Sequence, residues 1–239
     1  MSHQWPRSDG TCEGGAEFIQ HEMRLRAPVG VEVVPCGPGD VDRALDCDRI
    51  VVAGFERLSA DAVARLGTWV DVMWLMSPPM SHVHPLMRSC RTLLWASDGM
   101  REHFGWDRGE ALSGSWDTSL VPEPAAKEDA AVWAARDVWH KGRDNARRWA
   151  VEHGVPLWEF SGAPRSEVLD AMSRARWFVH LPHEPFDSCP TTVIEAELAG
   201  CETVVNDFVG RVPVSGRQDV AAHIEGNGSR FWGWVCDGL

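Results

Sequence analysis

The chain has no tyrosine among its 239 residues, no Cys-x-x-Cys pair, no surplus of positive charge, and no apolar run near the roughly 18 residues that a membrane-crossing helix needs. Each absence narrows the field. Thirteen tryptophans beside zero tyrosines read as codon bias rather than as function. Seven cysteines, at 12, 36, 47, 90, 189, 201 and 236, are odd in number and fit reduced thiols, not a disulfide framework. The formal net charge of -12 is shared by both halves of the chain and argues against a basic nucleic-acid module. Any polyanionic partner has to be held by a local patch, because the long-range field repels it. The N-terminus "MSHQWPRSDGTCEGG" has neither the basic head nor the apolar centre of a signal peptide. A cytoplasmic protein without membrane insertion is expected. Repeats of fixed period and low-complexity tails are also missing.

What is present is ordinary globular material, 44% hydrophobic and 24% charged, long enough to bury a core. From residue 131 a cycle sets in. "AVWAA" and "VPLWEF" read as strands around the helix "GRDNARRWAVEHG", which carries Ala146, Trp149 and Ala150 on one face and Gly154 at its end. "SEVLDAMSRA", "RWFVHL", "TTVIEAELAG" and "CETVVN" continue it as helix, strand, helix and strand. Strands alternating with helices of about ten residues predict a parallel sheet covered on both faces. Before residue 128 the theme is less regular, with strands predicted at 31–35, 48–54, 68–75 and 92–97 and helices at 59–66 and 83–90. Pro122 and Pro124 mark a linker over 117–129. The fold class expected is α/β, two small Rossmann-like domains with parallel sheets facing across a cleft. Residues 1–122 would form the abbreviated domain and 123–239 the second.

In an open parallel sheet, ligands bind outside the carboxyl ends of the strands, where helix N-termini present free N–H groups. Four loops in the C-terminal half qualify, beginning at Arg136, Ser161, Pro182 and Asn206. Arg136 and Lys141 precede a helix and can grip a diphosphate without a metal ion; the plain alternative is a solvated surface pair. In "HEPFDSCPTTVIEAELAG", Asp187 lies in the loop and Glu195 on the following helix, with the amides of Thr191, Thr192 and Val193 between them. Carboxylates on either side of an amide cluster suit a nucleotide sugar, with its diol, phosphates and hexose rim. The plain alternative makes Glu195 a helix-face charge and Asp187 a turn residue.

Together, "ARDVWHKG", "PLWEFSGAPRSEVLDAMSRARWFVHLP" and "EPFDSCPTTVIEAELAGCETVVNDFVG" resemble the donor domain of GT-B glycosyltransferases, in particular the large retaining group with an E-x7-E motif. "GGAE" at 14–17 matches that group's glycine-rich loop, placing Gly15 near the donor phosphate or acceptor. The resemblance covers residues 131–212. It implies that Arg136 and Lys141 hold the donor diphosphate, Glu195 the ribose, Ser161 and Gly162 the nucleobase, and the acidic loop the sugar hydroxyls. Glu184 lies eleven residues before Glu195 and Asp187 lies eight before it, so Asp187 is the expected sugar contact, with Glu184 in reserve. An N-domain histidine beside the sugar is also implied, with His82 and His84 as candidates. The first strand that the family places before the glycine loop has no β-forming counterpart in "MSHQWPRSD".

The activity implied is transfer of a hexose from a nucleotide-diphosphate sugar, UDP-linked by preference, with retention and without a metal. The short N-terminal half suits a large or flat acceptor such as a polysaccharide, a protein or modified DNA. Compact enzymes of this kind in phages glycosylate hydroxymethylated DNA bases, and Arg88, Arg91, Arg101 and Arg108 are the one local concentration of positive charge. Two other classes compete. "HVH" at 82–84 with "HLPHE" at 180–184 offers imidazoles and a carboxylate for a metallohydrolase. A binding module that kept the nucleotide fold without catalysis is the other. The aromatic cluster Phe231, Trp232 and Trp234 is expected in the core or an interdomain hinge.

Overall fold

The computed structural model describes residues 15–53, 55–184, 186–188 and 190–237. The chain divides into two compact units, residues 1–116 with 226–239, and residues 117–225. This division differs from the expected segments at both edges, because the C-terminal helix leaves the second unit and ends in the first.

The first unit contains α1 (Gly15–Leu25), α2 (Val41–Leu45), β1 (Val51–Val52), α3 (Ala60–Leu66), β2 (Val72–Leu75), α4 (His84–Ser89), β3 (Thr92–Trp95), α5 (Asp98–His103) and β4 (Glu110–Ala111). Its sheet has the order β1-β2-β3-β4 with every pair parallel. Strands covered on both faces read as continuous apolar runs, and "VMWL" of β2 is buried throughout. Trp74 and Trp95 are satisfied inside this core by donating to Leu112 O and Arg108 O, both at 2.9 Å. Ser59 and Ser97 accept from the amides of Ala62 and Met100 and so start α3 and α5.

The second unit contains β5 (Glu128–Ala134), α6 (Arg143–His153), β6 (Leu157–Phe160), α7 (Arg165–Arg174), β7 (Ala175–His180), α8 (Thr191–Leu198), β8 (Glu202–Val205) and the first turns of α9 (Arg217–Cys236). All its strand pairs are parallel, in the order β6-β5-β7-β8. The chain therefore leaves β5 toward one edge and later returns to add β7 on the other side. Such a reversal opens a crevice between the loops after β5 and β7. Ala146 of α6 packs with Ala131, Trp133 and Val179, flanked by Trp149, Leu157, Trp177 and Leu181. Alternation along β7 turns Phe178 and His180 to the opposite face, where their rings stack. Lys127 donates to Met172 O and Ala199 O, closing the carboxyl ends of α7 and α8.

Two expectations change. Residues 31–35 form no strand and lie as irregular, mostly half-buried chain. The linker expected over 117–129 ends early, since β5 begins at Glu128. The segment before the glycine loop, where the family's first strand has no β-forming counterpart, and Gly14 fall outside the described residues. Gly15 itself begins α1. Helix α9 went unrecognised because Gly226, Gly228 and Gly233 interrupt its pattern. Space explains Gly228, where a Cβ would sit 3.2 Å from Ser115 Oγ and 3.3 Å from Arg26 Cδ. Beyond it Phe231 packs on Trp74 at 5.3 Å and Trp232 donates to Met23 O, which places these two rings of the aromatic cluster in the core of the first unit, while Trp234 is half-buried under Arg230.

Gly142 and Gly154 bracket α6 with the same φ of +67° but different surroundings. A Cβ on Gly142 would lie 1.9 Å from Leu181 O, whereas one on Gly154 meets nothing within 4 Å. Gly142→Ala is therefore expected to destabilise the protein by about 2 kcal/mol or more and Gly154→Ala by roughly 1 kcal/mol. Urea titrations of the two variants check the difference; equal costs would show that crowding at Leu181 contributes nothing.

Candidate functional site

The crevice at the reversal between β5 and β7 receives side chains from three segments. After β5 the chain turns at Arg136, whose carbonyl accepts from Val138 N at 2.8 Å. A short 3-10 turn, Trp139–Lys141, follows and stops at Gly142. That turn is tied down by Trp133, whose indole donates to Lys141 O at 3.2 Å, and by the contact of Gly142 with Leu181. Lys141 has a fixed backbone and a side chain with four torsions.

After β7 the loop carrying Asp187 is held by the loop after β8. Asp187 N donates to Phe208 O at 2.7 Å, and Gly210 N donates to Asp187 O at 2.8 Å. Asn206 donates to Pro182 O and accepts from Phe208 N, so it joins both loops. The "NDFVG" turn is thus a brace for Asp187. Phe186 is buried beside it.

These anchors bring Lys141, His180 and Asp187 together. Lys141 Nζ donates to Asp187 Oδ2 at 2.6 Å, and His180 Nε2 donates to the same oxygen at 2.8 Å. The Asp187 side chain is 14% exposed and that of His180 only 1%. Burial by itself raises the carboxyl pKa. The His180 hydrogen bond and the Lys141 charge override it and hold Asp187 well below the usual carboxylate range. Asp187 is ionised at neutral pH, and among the described residues its Oδ1 accepts no hydrogen bond.

Helix α8 begins at Thr191 after Pro190. Val193 N turns back to Pro190 O at 3.0 Å, so the amides without an intrahelical acceptor are those of Thr191 and Thr192. Val193 drops out of the expected amide cluster. One turn further on, Glu195 is buried, and its Oε1 accepts from Arg165 Nε at 2.8 Å. Burial raises the Glu195 pKa and the Arg165 guanidinium opposes that rise. Arg165, the first residue of α7, was not singled out in the sequence, and its place just after the "SGAP" loop was the available signal.

The remaining expected residues are more open. Arg136 is exposed and makes no ion pair among the described residues, yet its charge, with that of Lys141, depresses the pKa of His140, which burial lowers first. Ser161 and Gly162 lie exposed after β6, with Gly162 at φ +70°. Glu184 is exposed. In the first unit, His82 Nε2 is 3.0 Å from Leu58 O and His84 packs edge-on against Trp106.

Two alternatives lose footing here. His180 is bound to Asp187 and His183 to Asp144, and no group of three or more His, Cys, Asp or Glu among the described residues is gathered for a metal ion. The arginine segment is largely structural. Arg108 donates to the carbonyls of Met87, Arg88, Cys90 and Arg91, Arg101 donates to Gly109 O, and Arg91 donates to Asp237 O. Of the four, only Arg88 is not drawn into such a bond among the described residues. No described helix is long and apolar enough to cross a membrane.

No protein-family model matches the chain, and no curated protein matches it significantly. Among solved structures, it is similar to AviGT4, a glycosyltransferase involved in avilamycin A biosynthesis. That match has a TM-score of 0.54 at 15% identity and covers 98% of this chain and 92% of the other. Anabaena HepE in complex with UDP and glucose gives a TM-score of 0.48 at 13% identity, over 82% and 75% of the two chains. An alpha-glucosyltransferase in complex with UDP and a 13-mer DNA containing an HMU base gives 0.47 at 11% identity, over 83% and 79%. At these identities the likeness is one of fold: the chain is α/β, with two Rossmann-like units built on parallel sheets in the manner of GT-B glycosyltransferases.

Proposed function

We propose that the protein is a glycosyltransferase that moves a hexose from a nucleotide-diphosphate sugar, a UDP-sugar first among them, to a hydroxyl acceptor with retention of configuration. One observation carries the reading. A cation from the loop after β5 and a carboxylate from the loop after β7 meet where the strand order reverses, beside the first amides of α8. The glycosyltransferase fold likeness agrees with it.

In this reading Lys141, Arg136 and the Thr191 and Thr192 amides take the diphosphate, supplying positive charge without a metal. Glu195 accepts from the ribose diol, Ser161 and Gly162 border the base, and Asp187 Oδ1 accepts from the sugar hydroxyls. The second unit holds the donor and the first unit serves the acceptor. The bond from C1 to the diphosphate oxygen breaks as charge develops on the diphosphate, where Lys141 and Arg136 stabilise it. The acceptor oxygen bonds to C1 from the same face, and its proton passes to the departing diphosphate. The protein contributes orientation and charge stabilisation.

For the acceptor, a hydroxymethylated DNA base is one candidate beside a polysaccharide or a protein, and it stands against a net charge of -12 and an arginine segment used mostly for capping. Sugar transfer onto hydroxymethylcytosine DNA decides it, and no transfer with any donor removes it. Nucleotide-sugar binding without hydrolysis or transfer would instead indicate the binding module.

Replacing both cations, Arg136→Met with Lys141→Met, is expected to weaken UDP binding roughly 100-fold, from two charge-assisted contacts of about 1.5 kcal/mol each. Calorimetry reads this directly, and unchanged affinity would sink the diphosphate assignment. Glu195→Gln tests the ribose contact. UDP affinity is expected to fall about tenfold while that for inorganic pyrophosphate stays put. Stability should move the other way. Because the native pKa of Glu195 is raised, its linked stabilisation is complete below the ordinary carboxylate range and is lost as pH rises through the raised value. The Gln variant is thus expected to be at least as stable as the parent at neutral pH. A thermal melt at two pH values checks that sign.

A further inference from the structure

We propose that His180 is a positioning residue that keeps hold of the Asp187 carboxylate and thereby releases Lys141 to the donor diphosphate. The inference rests on the donor site described under Proposed function and concerns how that site changes partners. Lys141 and His180 donate to one and the same oxygen, Asp187 Oδ2, at 2.6 and 2.8 Å. A diphosphate carries more negative charge than a carboxylate and competes for the ammonium group. If Lys141 were the only partner, its departure would leave a largely buried carboxylate uncompensated, which is strongly destabilising. The Asp187 backbone cannot retreat to water, since Phe208 O and Gly210 N clamp it on both sides.

His180 meets the requirement that this exchange creates. It is the last residue of β7, its side chain is 1% exposed, and it has two torsions where Lys141 has four. Its Nδ1 has no hydrogen-bond partner among the described residues, so the bond to Asp187 is the one polar contact seen for the ring. A buried imidazole with a single bond is a poor choice for packing alone, because an apolar side chain fills such a site without an unsatisfied nitrogen. Phe178 stacks on one side of it at 6.3 Å, and the charged group that shares this carboxylate with it is Lys141. Lys141, with more torsions and more exposure, is the member of the pair better able to leave, and His180 the one better able to stay.

The test compares two substitutions in two backgrounds, with UDP as the probe and calorimetry as the readout. His180→Met removes the donor and keeps bulk; His180→Gln places an amide N–H near the original Nε2. Expected is a roughly tenfold loss of UDP affinity in His180→Met, because Lys141 is then tied to Asp187, and a value within twofold of the parent in His180→Gln. In an Asp187→Asn background, which has no carboxylate to hold, His180→Met should change nothing. A structural role alone predicts a loss that persists in that background. Unchanged affinity in His180→Met, or an undiminished loss beside Asp187→Asn, overturns the proposal. Should His180→Met fail to fold, long-range ¹⁵N–¹H spectra of the unsubstituted protein decide. A His180 Nε2 proton that stays hydrogen-bonded after UDP binding supports the exchange, and its loss ends it. If the unsubstituted protein binds no UDP, the donor reading falls and takes this proposal with it; binding that ignores His180 overturns only the latter.

Discussion

A single ionised carboxylate, held below the surface by one donor from the turn after β5 and one from the end of β7, organises the second unit. Asp187 is affordable there only because Lys141 and His180 reach it together. Their meeting depends in turn on backbone geometry. Lys141 is in place because Gly142 allows the turn after β5 to touch Leu181, and Asp187 is in place because the turn after β8 braces its backbone. The strand order supplies the reason for the location, since β5 and β7 are neighbours whose following loops diverge to opposite directions of the chain. Topology makes the crevice, glycine makes the close approach, and electrostatics then keeps a charge inside it.

Legibility in the sequence followed how local each signal was. The second unit was readable because each of its strands and helices carries its own punctuation: Gly142 and Gly154 around α6, and Gly200 after α8. The first unit was most readable at β2 and β3, whose apolar runs are nearly unbroken, and at α3 and α4, which fall within the predicted helices at 59–66 and 83–90. "VEVVP" looks like a strand by residue type but finds no sheet partner, because a strand is stabilised by its neighbours and not by propensity alone. Helix α9 failed in the opposite direction. Its glycines lower intrinsic helicity, while tertiary contacts such as Asn227 to Gly114 O and Trp232 to Met23 O sustain it.

At the site, residue types and spacings pointed to Lys141, Asp187 and Glu195, whose order along the chain is itself informative. The partners were not legible. His180 and Arg165 lie in regular elements, and nothing in a linear pattern says which carboxylate a strand-end imidazole or a helix-start guanidinium will reach. Val193 shows the converse, since its position in sequence suggests a free amide while the turn at Pro190 uses it. Spacing identifies groups able to act; only packing identifies which of them are already engaged.

Both acidic groups that the proposed function assigns to the donor are paired with a cation in the structure, Asp187 with Lys141 and Glu195 with Arg165. The two pairs differ in kind. The Asp187 carboxylate is shared by two donors and is held strongly ionised, so it tolerates loss of one. Glu195 is held by Arg165 against a burial that favours its neutral form, so its charge rests on one partner. A neutral ribose diol asks only for an acceptor and leaves the Arg165 pair intact, while a diphosphate asks for a cation and must draw on Lys141. The acidic chain has few cations to spare for that purpose. Arg108 and Arg217 are committed to backbone carbonyls, and Arg143 and Arg147 to Glu159. Within the second unit, the exposed Arg136 and the carboxylate-bound Lys141 are therefore the cations best placed to serve a diphosphate. Under the proposed function such a ligand is bound by reassigning a cation already held inside the site, and the second donor on Asp187 is what makes that reassignment tolerable.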